Sequence, residues 1–277
     1  MSDHVDNIVL ITVDALRYDL ISEDFEDLEM ANIEELKNSG FEFERAFSNG
    51  TATVSAFPAI LFSSKINDGS TPKSTSVAEA IREEGYQTIG LTSNPNTSSF
   101  YDYDRGFEIF KDYIEPPESK RQNPIFRIAK NFVSSLSPIY KLWRRHRSEN
   151  NLPYERAEKL NEDFFEFYRE NQKQFFWLHY METHAPYSPP ERYGLRYEPE
   201  LYSSRGKLVN KLYDEEVNER ERKALWNLYK AEAKYLDDRI GEILEYIRGK
   251  SGSSLIVFTS DHGEEFGERG GFQHRKL

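Results

Sequence analysis

Four short apolar runs constrain this chain more than anything else in it: Ile8–Val13, Thr88–Thr92, Phe175–Tyr180 and Leu255–Thr259. Each is rich in branched or aromatic residues and apolar at successive positions, the pattern of a strand buried on both faces of a parallel sheet. Helical patterns lie between them. Asn32–Ser39 is followed by Gly40 as a C-cap, and Ser76–Glu84 is closed by Gly85. Arg156–Asn171 is a third, and the longest runs from Glu215 to Ile247 and stops at Gly249. Strands alternating with helices predict an α/β fold, a three-layer sandwich around a mostly parallel sheet. The 277 residues are enough for one large domain or two small ones.

Every one of these runs ends in polar residues: Asp14, Ser93-Asn94, Glu182 with His184, and Asp261-His262. In open parallel sheets, ligands sit outside the carboxyl ends of the strands. Singly, each has an ordinary explanation. Asp14 fits a helix cap starting at Ala15, and His184 fits a packed loop residue ahead of Pro186-Tyr187. Four strands delivering polar groups to one edge point instead to a site. Aspartate and histidine are hard or borderline ligands, so Asp14, Asp261 and His262 can hold one divalent cation with positions left for substrate. A nucleophile is expected in the hydroxyl-rich stretch 47–64, FSNGTATVSAFPAILFSS, which runs into a helical pattern from Phe57 to Phe62. A hydroxyl at a helix N-terminus lies in a positive field beside free N–H groups. Spacing alone does not choose among Thr51, Thr53 and Ser55. His179, alternating with Leu178 and Tyr180, reads as structural, and Tyr229, Tyr235 and Ile240 read as core. His4 and His146 carry no signal.

There are no cysteines, which excludes disulfides, thiolate metal sites and a cysteine nucleophile. A net charge of -12 argues against nucleic-acid binding, which needs a basic face. The N-terminus shows no signal-peptide pattern and no stretch approaches a membrane span, so a cytoplasmic location is expected. Residues 119–153 depart from the acidic background. Between Lys120 and Arg147 the chain has Lys and Arg but no acids, interleaved with Phe126, Ile128, Phe132, Ile139, Leu142 and Trp143. This basic amphipathic insertion reads as a solvated surface helix pair, or as a docking surface for an anionic substrate or a membrane.

Five stretches, in order, resemble the sulfatase family of the alkaline phosphatase superfamily: NIVLITVDALRYD, AFSNGTATVSAFPAILFSS, FFWLHYMETHAPYSPP, YKAEAKYLDDRIGEIL and VFTSDHGEEFGERG. The resemblance implies metal-dependent hydrolysis of sulfate or phosphate esters with one divalent ion, Ca2+, Mg2+, Mn2+ or Zn2+. It places Thr53 as nucleophile and direct metal contact beside Asp14, Asp261 and His262. It gives His184 and His274 catalytic roles on the anion or leaving group, with Arg17, Asn94 and His184 binding substrate. The chain departs from sulfatases proper. It lacks the Cys/Ser-x-Pro-x-Arg signature that yields formylglycine, which favours a threonine alkoxide as in relatives acting on phosphodiesters or transferring phosphoglycerol groups. Arg269 stands where relatives often carry His. The sequence also resembles the family shortened after GGFQHRKL. That implies a loosely held His274, an exposed sheet edge open to homo-oligomer formation, and reduced or lost activity. The alternatives are a phosphoglycerol or phosphoethanolamine transferase acting on lipid or glycan, and an inactive anion-binding homologue.

Overall fold

The computed structural model describes residues 5–22, 25, 27–65, 72–113, 152–214 and 216–274. The four predicted runs form strands β1 (Asn7–Val13), β2 (Gln87–Thr92), β4 (Gln174–Tyr180) and β5 (Ser254–Ser260), joined by a three-residue β3 (Ile109–Lys111). They make one parallel sheet in the order β3-β2-β4-β1-β5. A small antiparallel pair, β6 (Glu265–Phe266) and β7 (Phe272–Gln273), follows. The helices are α1 (Asp19–Ser22), α2 (Ala31–Ser39), α3 (Thr53–Phe62), α4 (Val77–Glu83), α5 (Ala157–Phe167), α6 (Glu191–Tyr197), α7 (Arg205–Asp214) and α8 (Glu219–Arg248).

Local chemistry sets the helix ends. Ser76 proves to be the N-cap of α4: its Oγ accepts from Glu79 N (3.0 Å) while Glu79 Oε2 accepts from Ser76 N (2.7 Å). Asn218 caps α8 in the same way, which starts that helix later than the apolar pattern indicates. Gly85 takes the expected left-handed φ of 84°, whereas Gly40 stays at φ -130° and closes α2 without it.

Two cores flank the sheet. Along β4, Phe176, Leu178 and Tyr180 pack with Phe164 of α5 and Leu236 and Ile240 of α8. The alternate residues Phe175 and Trp177 pack with Phe57, Leu61 and Phe62 of α3. Helices on both faces complete the predicted three layers. The expectation of two-sided burial is corrected at β5. Ile256 and Phe258 pack into the α8 core, but Leu255 and Val257 are 47% and 42% exposed. β5 is an edge strand, and the core built on α3 and α4 contains none of its residues. The basic insertion as far as residue 151, with His4 and His146, lies outside the described residues.

Register then builds the site. Val13 pairs level with both Tyr180 and Ser260, and Thr92 is level with His179. The residues that follow therefore emerge together at one edge. β1 lies between β4 and β5, so the tips of these three strands meet at that edge, where ligands sit in open parallel sheets.

Candidate active site

Asp14 and Asp261 leave adjacent strands at the same level, and both are fully buried. Asp261 is held by one oxygen: its Oδ1 accepts from Ala15 N (3.1 Å) and His262 N (2.8 Å). Its Oδ2 lies 3.6 Å from His262 Nε2, which is also 3.6 Å from Asp14 Oδ1. The hydrogen bond between His262 Nδ1 and the Gly263 carbonyl (2.9 Å) puts the ring proton on Nδ1 and leaves the Nε2 lone pair facing the carboxylates. Asp14 Oδ1, Asp261 Oδ2 and His262 Nε2 are all buried with no hydrogen-bond partner. Buried polar atoms are normally paired. Three orphans of ligand type facing one another are what a divalent cation satisfies, so the donor set fits a metal.

His179 belongs beside them. As its alternation predicts, it packs in the core, stacked on Trp177 and edge-on to Phe57 at 4.6 Å between ring centres. Its Nε2 nevertheless lies 3.7 Å from Asp14 Oδ2, and Asp14, His179 and Asp261 offer ligand atoms all within 4.8 Å of one another. Thr12 Oγ1 receives Trp177 Nε1 (2.9 Å) and contacts Leu178 O, so His179 Nδ1 at 3.0 Å can donate to it and leave Nε2 as an acceptor. The readable signal was position: His179 lies on the strand that ends in the site, level with Thr92 two residues before Asn94.

Thr53 opens α3. The first helical hydrogen bonds come from Ser55 and Ala56 N–H to Ala52 O, so the Thr53 and Val54 N–H groups precede the ladder. Thr53 is 4% exposed, and its Oγ1 donates to Asp14 Oδ2 (3.0 Å). Asn94 Nδ2 donates to the same oxygen (2.7 Å) and lies 3.5 Å from Thr53 Oγ1. Gly50 lets the preceding segment cross the helix start, since a Cβ there would lie 2.0 Å from Ser55 Oγ. Of the three hydroxyls that spacing left open, Thr53 is the one bonded to Asp14, whereas Ser55 Oγ turns back to Ala52 O (2.9 Å).

His184 and His274 approach from other elements. The His274 ring centre lies 4.5 Å from that of His262 and 5.5 Å from that of His184. The β6–β7 pair brings His274 there, and Glu264 Oε1 lies 3.4 Å from its Nδ1. Burial lowers the affinity of His274 for a proton, but Glu264 outweighs this and raises its pKa. Arg17 is already engaged. It bonds Asp19, Glu268 and the Glu264 carbonyl and lies 5.0 Å over the Trp226 ring. Arg269, noted in the sequence only as a departure from relatives, reaches the site. It lines an open cleft of about 390 Å³ with Ser48, Asn49, Gly50, Thr51, His262 and Gly263.

The two carboxylates are pushed in opposite directions. Burial, the largest influence on Asp14, opposes its charge, yet His184, His179 and His262 together hold it well below the usual carboxylate range. Burial and then the charge of Asp14 push Asp261 upward. Adjacent like charges in a dry pocket separate in this way, and a cation between them removes the conflict.

A parallel sheet carrying carboxylates, imidazoles and a helix-start hydroxyl at its carboxyl edge has the alkaline phosphatase superfamily fold. The chain belongs to the sulfatase family, whose model matches residues 6–276. Similar solved structures include the zinc complex of the C-terminal periplasmic domain of EcEptC from Escherichia coli. It has a TM-score of 0.64 at 13% identity, covering 96% of this chain and 66% of that one. The soluble domain of lipooligosaccharide phosphoethanolamine transferase A from Neisseria meningitidis gives 0.67 at 14%, covering 98% and 71%. The phosphonate monoester hydrolase SpPMH from Silicibacter pomeroyi gives 0.60 at 16%, covering 97% and 64%. The chain thus spans 64% to 71% of the length of these neighbours. No curated protein sequence matches it. Among the described residues, no helix is long and apolar enough to cross a membrane.

Proposed function

We propose that this chain cleaves phosphate or sulfate esters with Thr53 as nucleophile and water as the final acceptor. The observation that carries this reading is the Thr53 hydroxyl, 3.0 Å from Asp14 at a helix start and beside three orphaned ligand atoms. A serine or threonine hydroxyl is a weak nucleophile at its free pKa. Asp14, Asp261 and His262 would hold a divalent cation, whose positive charge would lower that pKa and draw charge from the ester oxygens. Zinc is the first ion to test, because the Escherichia coli neighbour is a zinc complex. Asp14 orients the Thr53 hydroxyl, and Asn94 holds Asp14 from the opposite side. His184 and His274 bind the anion, and His274, protonated with the help of Glu264, gives its proton to the leaving oxygen. Arg269 meets the ester's negative charge from the open cleft.

A second reading, transfer of phosphoethanolamine or a similar group to a hydroxyl acceptor, is favoured by the transferase neighbours. The first half of the reaction is shared, and the readings differ in what attacks afterwards. The test is turnover of aryl sulfate, aryl phosphate and diaryl phosphate by the wild type and Thr53→Ala with Zn2+, Mn2+, Mg2+ and Ca2+. The variant is expected to lose at least about a hundredfold. Full activity in Thr53→Ala overturns the assignment.

A further inference from the structure

Glu264, Glu265 and Glu268 stand close together in the chain, and each has different partners. Glu264 faces Tyr187 and His274, and Glu268 holds Arg17. Glu265 belongs to neither arrangement. It is 4% exposed, and its Oε1 accepts from two backbone groups, Arg269 N (2.7 Å) and Gly271 N (3.1 Å). Both lie in the turn 267–271 that joins β6 to β7. That turn has little to hold its shape. Gly267, Gly270 and Gly271 make up most of it, and the first two take positive φ values of 98° and 77°. Glycine loses the most conformational freedom on ordering. Within the turn, Gly270 N donates to Gly267 O (3.1 Å). The flanking strands are two residues each, and an isolated pair of that length is marginal. Glu268 Oε2 accepts from Phe266 N (2.6 Å), which fixes the entry to the turn. Glu265 fixes the second half, and that half carries Arg269.

Of the two arginines at this edge, Arg17 is tied to Asp19 and Glu268, whereas Arg269 is exposed and lines the cleft that His262 also lines. We propose that Glu265 is the positioning residue for Arg269: its buried carboxylate clamps the turn, so that the guanidinium is already at the cleft when an ester anion arrives. The role rests on the reading of Arg269 as the group that meets the ester's negative charge. Charge and clamp act in opposite directions here. A carboxylate near an anion subsite repels the anion, so losing only the charge of Glu265 tightens anion binding. Losing the clamp weakens it, because an arginine on a loose turn must be ordered as it binds. Two buried N–H groups would also be left without an acceptor, which favours opening of the turn.

Inorganic phosphate is the probe, titrated by calorimetry into the full chain in the presence of Zn2+. Glu265→Ala is expected to weaken phosphate binding at least about tenfold. Glu265→Gln drops the charge but keeps an acceptor for both N–H groups, and it should bind phosphate as well as the wild type or better. Arg269→Ala is expected to weaken binding to about the same extent as Glu265→Ala, and the double variant no further than Arg269→Ala alone. Hydrogen exchange at the Arg269 and Gly271 amides should quicken in Glu265→Ala and not in Glu265→Gln. Wild-type affinity or amide exchange in Glu265→Ala, an equal loss in Glu265→Gln, or a further loss in the double variant overturns the proposal and leaves the reading of Arg269 standing. If Arg269→Ala binds phosphate as the wild type does, that reading falls and the proposal with it.

Discussion

Glu182 makes a stability prediction whose size follows from the structure. It leaves the tip of β4 fully buried, and its Oε1 accepts from Ala157 N (2.7 Å) at the start of α5. Its Oε2 has no partner, because Arg156 Nη1 pairs instead with Glu232 Oε2 (3.0 Å). Burial pushes Glu182 from an ordinary 4.5 up to about 7, against the pull of Arg156 and with the push of Glu232. The fold thus favours the protonated acid. Its stabilisation is complete below about pH 4.5 and is lost as pH rises through about 7. At about 1.4 kcal/mol per tenfold, the loss is on the order of 3 kcal/mol. Glu182→Gln mimics the protonated acid at every pH and keeps an acceptor for Ala157 N. Urea unfolding of both proteins at about pH 5 and about pH 8 isolates the difference, because all other titrations are shared. The wild type is expected to lose about 2.5 kcal/mol more than the variant across that interval, since part of the loss has already occurred at about pH 5. Parallel pH dependences would refute the assignment of Glu182 as a buried acid.

Three more outcomes are expected. Asp261→Asn should lose bound divalent metal in elemental analysis after dialysis, because Oδ2 is one of the three orphaned ligand atoms; metal content equal to wild type counts against the site. Glu264→Gln should move the basic limb of the rate profile to lower pH, because the carboxylate that raises His274 is gone; an unmoved limb removes His274 as the proton donor. Tyr229→Phe deletes a buried hydroxyl that donates to Ala15 O (2.8 Å) and accepts from Arg17 N (2.8 Å), and denaturant unfolding should show a cost of about 1–3 kcal/mol.

The sheet was legible because parallel strands covered on both sides need short, continuously apolar runs, and only a few stretches of this chain qualify. β3 was missed: three residues carry too little pattern, and Gly90 in the neighbouring β2 is what lets Phe110 pack, with a Cβ there only 2.7 Å from the ring. The exposed face of β5 was misread because composition cannot say which strand ends up at an edge. At the site, Asp14, Asp261 and His262 could be named because each directly follows a strand. Glu264 was not singled out, since its partners Tyr187 and His274 come from distant segments. Arg17 follows Asp14 closely in sequence, but Asp19 and Glu268 claim its charge in the fold.

Asp14 shows why local reading and tertiary context part company at a site. A helix starting at Ala15 would make this aspartate a cap, but the first helix begins only at Asp19. Ala15 instead takes a left-handed φ of 59°, which costs a non-glycine residue on the order of 1–3 kcal/mol. Contacts from elsewhere hold it there: its N–H donates to Asp261 Oδ1, and its carbonyl accepts from Tyr229 Oη. The Asp14 carbonyl accepts from Thr183 Oγ1 on the loop that carries His184. The strained turn therefore ties down one oxygen of Asp261 and leaves the other facing His262, while Asp14 stays fixed between Thr53, Asn94 and the histidines. A strand tip fixed in this way can hold two carboxylates close together before any cation or substrate arrives. That preorganisation is what an electrostatic catalyst needs, and no propensity read along the sequence would place an alanine in that conformation.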